Sequence, residues 1–141
     1  MLDLWQLKRQ FLEYTELEKG QSLLTVSNYD RYLTKFVSWL EIEIGKQQET
    51  RSEKKIEFTS ELITENMVKE YRLYLNRLSD KAGQPLKRST QNYHIITLRA
   101  FLGFLAIKGI KSLAPQKVVL AKSEERKVDF LEAQDIIKLI E

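Results

Sequence analysis

The fold is decided by residues 89–109, STQNYHIITLRAFLGFLAIKG. Apolar side chains recur in this stretch at three- and four-residue steps, the spacing of one face of an α-helix. Ile96, Phe104 and Ile107 add apolar side chains to the other sides of the same helix. Because a helix that is apolar nearly all round is buried by its neighbours, we expect this segment to be the central helix of a helical domain. Ser89 or Thr90 is its expected N-cap.

Three further helices are predicted before this segment by the same periodicity. Their expected ranges are 2–19, 25–45 and 64–78. Gly20 has the position of a C-terminal cap, and Thr25 and Thr64 have the positions of N-caps. Residues 46–60 show no apolar period and are predicted to form a surface loop. The predicted fold class is therefore all-α, a four-helix bundle.

The sequence changes character after Pro115. Residues 116–130 are predicted to form an extended connector, and residues 131–141 a last apolar helix containing Ile136 and Ile140. Because that helix stops with the chain, we interpret it as the opening of a second, truncated domain. The expected organisation is a helical domain at 1–115, a linker at 116–130 and the first helix of the next domain at 131–141.

Positive charge is concentrated in the C-terminal half of the chain. Residues 81–123 contain no Asp or Glu but eight Lys and Arg residues, although the net charge of the whole chain is only +3. A one-sided field of this kind is what a surface that binds a polyanion needs. The alternative is a solvated basic face without a partner.

Two polar faces lie within the predicted helices. The second helix carries Ser27, Arg31 and Thr34 on the side opposite its apolar stripe, with Lys35 at the edge. Short hydroxyl side chains beside cations allow a backbone to approach closely. The N-terminal end of the central helix carries a second polar cluster, which consists of Lys87, Arg88, Ser89, Thr90, Asn92 and Tyr93. Because a helix N-terminus presents unpaired N–H groups and a positive dipole end, this cluster favours phosphate binding.

Several functional classes are disfavoured by composition. The chain has no cysteine, which excludes disulfides and thiolate metal sites, and a single histidine, so no metal site or metal cofactor is expected. The apolar stretches are short and broken, so no membrane partner is expected. Five of the six tyrosines lie on or near apolar stripes and favour packing, and His94 is expected to be a hydrogen-bonded core residue. No catalytic residue is predicted in this chain.

The sequence resembles the N-terminal core-binding domain of tyrosine recombinases and phage integrases, the SAM-like helical bundle of Xer-type enzymes. The matching residues of the second helix are Ser22, Thr25, Tyr29, Leu33, Phe36 and Leu40. Those of the central helix are Thr90, Asn92, Leu98, Arg99, Phe101, Leu105 and Gly109. Pro115 stands where the family has Asn-Pro, and Phe130-Leu131 resembles the entry to the catalytic domain. Tyr93, His94 and Ala114 depart from the family pattern.

The resemblance implies a DNA-binding module that clamps duplex DNA together with a catalytic domain missing from this chain. The second and fourth helices would face the DNA. The resemblance therefore implies that the DNA-contacting residues are Thr25, Ser27, Arg31, Thr34, Lys35, Lys87, Arg88, Ser89, Thr90, Asn92 and Tyr93. Most would contact phosphates, whereas Arg31 and Asn92 are the better candidates for base edges. The resemblance further implies no cofactor, a cytoplasmic, nucleoid-associated location in a bacterium or archaeon, and a tetrameric assembly of the full-length recombinase on DNA.

Two other hypotheses remain open from the sequence. A stand-alone helical DNA-binding regulator would share the basic face but would need a dimer for specificity. A helical protein-interaction module would use an apolar surface made of Trp5, Leu12 and Leu17, and would show no salt-dependent DNA binding.

Overall fold

The described part of the structure, a computed structural model, comprises residues 2–50, 55–79 and 82–120. Within these ranges the regular structure is helical, with α1 at Leu4–Leu17, α2 at Leu23–Thr50, α3 at Glu65–Asn76 and α4 at Arg88–Ile107. Short 3₁₀ turns lie at Ser60–Leu62 and Pro115–Lys117, and no strand occurs in the described ranges. The predicted all-α, four-helix fold is therefore confirmed. The predicted helix at 131–141 and the linker residues after Leu120 lie outside the described residues.

Polar side chains cap the first three helices. Asp3 and Gln6 form a capping box on α1, in which each side-chain oxygen accepts the other residue's backbone N–H at 2.9 Å. Thr64 caps α3 by accepting the N–H of Met67 at 3.2 Å. On α2, Ser22 Oγ accepts the N–H of Thr25 at 3.1 Å. The prediction that Thr25 caps α2 is therefore wrong, because Ser22 satisfies that amide and the helix begins earlier, at Leu23.

The helix boundaries differ from prediction at two further places. α2 continues through Gly45 to Thr50, so residues 46–50 are helical and not part of a loop. Its last turns remain attached to the domain, because Ile44 is buried and Gln48 Oε1 accepts the N–H of Ile56 at 2.6 Å. α4 begins at Arg88 with Lys87 as its N-cap residue, without a side-chain cap bond. The predicted caps Ser89 and Thr90 instead lie inside the first turn.

The end of α4 shows why a glycine is needed there. Gly109 has a φ of 73°, in the left-handed region. Its N–H bonds the carbonyl of Ala106 at 3.1 Å, and the N–H of Ile110 bonds the carbonyl of Leu105 at 2.9 Å. This pair of bonds is a Schellman motif, which turns the chain sharply and satisfies the last carbonyls of the helix.

α4 packs against each of the other three helices and against the Pro115–Lys117 turn. Phe101 is fully buried and meets Phe11 of α1 edge-on, with 5.5 Å between the ring centroids. The prediction that α4 is buried nearly all round is only partly right, because Ile107 is 67% exposed and Gly103 has open space where a side chain would project. The connector also joins the domain, since Val118 is buried and its carbonyl accepts a bond from Arg99 Nη1 at 3.3 Å.

A second aromatic cluster joins α2 to α3. Tyr71 is fully buried, and its ring lies 4.9 Å from that of Phe36 and 5.2 Å from that of Trp39. Its hydroxyl has no hydrogen-bond partner among the described residues. Burial accordingly raises the pKa of Tyr71 well above its ordinary value.

Phe101→Ala should destabilise the domain by about 3–5 kcal/mol, because it leaves a cavity where α4 meets α1. Ile107→Ala on the same helix is the matched control, and it should change the free energy of unfolding by less than about 1 kcal/mol because Ile107 is exposed. Urea unfolding followed by circular dichroism measures both. Equal losses in the two variants would contradict this account of the core.

Candidate nucleic-acid interface

α2 and α4 meet through aromatic side chains near the N-terminal half of α4. The ring of Tyr32 lies 6.4 Å from that of Tyr93, nearly parallel to it, and 4.5 Å from the ring of His94. A small groove of about 200 Å³ runs between the two helices here. Its lining consists of Thr25, Asn28, Tyr29, Tyr32, Tyr93, Ile96 and Thr97. The structure therefore brings the predicted contact residues Thr25 and Tyr93 to one groove.

Two cations of α2 stand beside this aromatic cluster. Arg31 is exposed, its guanidinium lies 4.8 Å from the centre of the Tyr32 ring, and its Nη2 donates to the Tyr32 hydroxyl at 3.2 Å. The ammonium group of Lys35 lies 5.9 Å from the ring of Tyr74 on α3. Both cations can therefore be held by aromatic faces while they keep their charge.

His94 lies close enough to Arg31 and Lys35 for their charges to affect its pKa. Its side chain is buried, and its Nδ1 has no hydrogen-bond partner among the described residues, contrary to the expectation of a hydrogen-bonded core histidine. Burial, together with the positive charges of Lys35 and Arg31, lowers the pKa of His94 from 6.5 to about 4. The imidazole is therefore neutral near pH 7, which is consistent with its place beneath two cations.

Thr34, another predicted contact residue of α2, lies on the side of α2 that faces α1. Thr34 is half-buried, and its hydroxyl donates to Asp30 Oδ1 at 3.1 Å. Asp30 in turn accepts a 2.6 Å bond from Lys8 on α1. The hydroxyl of Thr34 is thus engaged beside α1 and not in the groove with Tyr93. Ser27 is exposed near the start of α2.

The predicted cluster at the start of α4 spreads around the helix. Lys87 and Arg88 are exposed, whereas Ser89, Thr90 and Asn92 are partly buried. The N-cap residue Lys87 makes no side-chain hydrogen bond to the N–H groups of this end, which an α-helix leaves without partners in its own backbone. Asn92 and Tyr93 project about 100° apart around the axis, as successive helix positions do. The predicted residues therefore divide between two flanks of α4.

A larger groove of about 510 Å³ lies on the other flank, between α3 and α4. Arg88 and Asn92 line it from α4, and Lys69 and Arg72 from α3. Sequence reasoning missed the α3 cations because they alternate with the buried Val68, Tyr71 and Leu75 and precede the acid-free run. The available signal was their three-residue spacing, which places both on one side of α3.

The apolar surface expected of a protein-interaction module is divided. Trp5 and Leu12 pack against the core, and the Trp5 indole donates to Glu41 at 3.4 Å. Leu17 alone of the three is largely exposed, at 77%.

In the described residues, His, Asp and Glu form no group of three that would suit a metal ion. No helix among these residues combines the length and the hydrophobicity of a membrane span.

The lowered pKa of His94 predicts a pH dependence of stability. Between pH 6.5 and about 4 the unfolded chain binds a proton at this histidine that the folded chain does not, so the free energy of unfolding falls as the pH falls through that window. The loss should reach up to about 3 kcal/mol in the wild type. The variant His94→Gln should lose less over the same range.

Urea titrations at pH 7, 5.5 and 4.5 measure the difference. The hydrogen bond with Lys8 is the main cause that lowers the pKa of Asp30 from its ordinary value of 3.8. Asp30 therefore changes the free energy of unfolding only below about that pH, and it does so equally in wild type and variant. Parallel pH profiles for wild type and variant would show that His94 is not the titrating group.

The helical arrangement agrees with the comparison with known families. No curated protein and no solved structure matches the chain significantly. The family model described as "Phage integrase, N-terminal SAM-like domain" matches residues 9–109, which include nearly all of the bundle from α1 to α4. The chain therefore belongs to the phage integrase N-terminal SAM-like domain family.

Proposed function

We propose that this chain is the DNA-binding module of a site-specific tyrosine recombinase, and that it binds duplex DNA through α2 and α4. The observation that carries the proposal is the juxtaposition of Arg31 and Lys35 on α2 with the uncapped, basic start of α4 across the Tyr32–Tyr93 pair. Phosphate oxygens are the groups that such cations and helix N–H groups bind. Family membership supports the same partner.

The contacts would have two roles. Lys87, Arg88, Ser89 and Thr90 would bind phosphates and fix the register of the duplex, together with Arg31, Lys35 and Ser27. Asn92 and Tyr93 project from the first turns of α4 and would approach base edges. Arg31, which the sequence predicts to reach base edges, lies against the ring and hydroxyl of Tyr32, so we assign it to phosphates instead. Thr25, which lines the groove beside Tyr93, would approach the DNA backbone. Thr34 belongs to the set only if its bond to Asp30 is exchanged.

Strand cleavage is proposed to belong to a catalytic domain that follows this module in a full-length recombinase. In that arrangement residues 1–115 form the DNA-binding domain, 116–130 the linker and 131–141 the first catalytic-domain helix, with tetramers assembling on DNA. The tyrosines of the bundle support this division. Burial raises the pKa of Tyr71, which is the reverse of what a phosphodiester nucleophile requires. Tyr93 is exposed but stacks on Tyr32.

Fluorescence anisotropy of a labelled duplex of about 30 base pairs, titrated at several salt concentrations, tests the DNA proposal. The wild type should bind with a Kd on the order of 10⁻⁴ to 10⁻⁶ M, and log affinity should fall linearly with log salt. The variant Arg31→Gln/Lys87→Gln/Arg88→Gln should bind more weakly, with a slope shallower by about 2–3, since each lost phosphate contact removes about 0.9.

A charge-matched control separates specific contacts from net charge. The variant Arg9→Gln/Lys55→Gln/Lys111→Gln also removes three exposed cations, none of which lines either groove beside α4 described above. It should retain nearly the wild-type slope. Equal weakening by the two variants, or no salt-dependent binding by the wild type, would refute the proposed face and favour the protein-interaction module.

A further inference from the structure

The groove between α3 and α4 gathers more positive charge than the described residues around it neutralise. Lys69 and Arg72 of α3, Arg88 of α4 and Lys117 of the connector line it, against a single carboxylate, that of Glu65. Lys117 lies 3.9 Å from Glu65, at the limit of an ion pair. The charged side chains of Lys69, Arg72 and Arg88 form no hydrogen bond or ion pair with the described residues.

Holding these cations together is costly without an anion. Arg72 is half-buried, and burial lowers the pKa of its guanidinium. A partly desolvated guanidinium without a carboxylate partner is uncommon, because desolvation of a charge is normally offset by pairing. The groove therefore has the electrostatics of a site for an external anion. Its lining also includes the buried Val68 and Ile95, which belong to the hydrophobic core.

The groove is continuous with the proposed DNA face. Arg88 and Asn92 belong to that face and also line the α3 side, whereas Tyr93 lines the small groove on the α2 side. Ser89 lines neither groove and projects from α4 between them. An α-helix is about 10 Å across, and the major groove of B-DNA is about 12 Å wide. A duplex that receives the N-terminal half of α4 in its major groove would therefore bring one phosphate backbone to each flank.

Resting on the proposed function, we infer that Lys69 and Arg72 bind phosphates of the DNA strand on the α3 side of α4, opposite the strand that Arg31 contacts beside Tyr32 and Tyr93. The DNA-binding surface thus extends over three helices, with α4 in the middle. An acidic peptide would match the charge of the groove alone, but it would not use the continuity with Asn92 and the α2 cations.

Removal of the α3 cations tests this inference. The variant Lys69→Gln/Arg72→Gln should lower affinity for the duplex between about ten- and a hundredfold at 0.1 M salt, and make the salt slope shallower by about 2. The control Arg9→Gln/Lys55→Gln removes the same charge from exposed positions that line neither groove, and it should keep the wild-type slope. If Arg72→Gln prevents folding, the exposed Lys69→Gln alone should reduce the slope by about 1.

The single carboxylate of the groove gives a test in the opposite direction. Glu65→Gln should bind the duplex a few-fold more tightly at low salt, because it removes repulsion of the phosphates and releases Lys117. Glu16→Gln, an exposed carboxylate of α1, is its control. A loss of packing around Glu65 would not tighten binding, so the sign of the effect separates an electrostatic role from a structural one.

The outcomes separate this inference from the function on which it rests. If the wild type binds and the α2–α4 triple variant weakens binding, but the α3 variant matches its control and Glu65→Gln matches Glu16→Gln, then the third helix is outside the interface and the inference is overturned. If the wild type does not bind duplex DNA at low salt, both proposals fail together.

Discussion

Burial of one side of α4 against the other three helices is the interaction on which the structure depends. Phe101 and Phe11 provide its centre, and the fully buried Leu98 and Leu102 extend the contact along the helix. Because α4 is fixed in this way, its first turn is held between α2 and α3. The positions of the polar side chains at that end therefore follow from apolar packing further along the same helix, and the interface needs no polar network of its own.

This arrangement brings positive charges close together and partly removes one of them from water. Arg31 and Lys35 lie close enough to His94 to oppose its protonation, and Arg72 is partly desolvated in the groove beside α4. Aromatic rings compensate in part, since Tyr32 and Tyr74 lie beneath the two α2 cations. Clustered like charges destabilise a free domain and favour association with a polyanion, so stability and binding are in competition at this end of the bundle.

The fold was largely predictable from the sequence because apolar periodicity reports burial directly. The helix ends were less predictable. Ser22 and Thr25 are both good capping residues, and only the bond from the Thr25 N–H to Ser22 Oγ decides between them. Gly45 is a residue type typical of helix ends, but α2 continues beyond it, where the Gln48 side chain bonds the Ile56 amide. The residue types alone do not show that either of these bonds forms.

The candidate site was only partly predictable for a related reason. Charge counting identified Lys87 and Arg88 because they lie in an acid-free run, and it passed over Lys69 and Arg72 because Glu65 and Glu70 lie close to them in the sequence. Only the packing of α3 on α4 places those two cations beside Arg88.

The central position of α4 also bears on how the interface opens and closes. Since α1, α2 and α3 all contact α4, detaching any of them would expose part of the shared core, so we expect the central residues of these helices to exchange their amide hydrogens together. The face made by α2, α3 and α4 should then open mainly when the core that supports it opens. A partner that covers this surface, or a change in its charge, would control it without local unfolding.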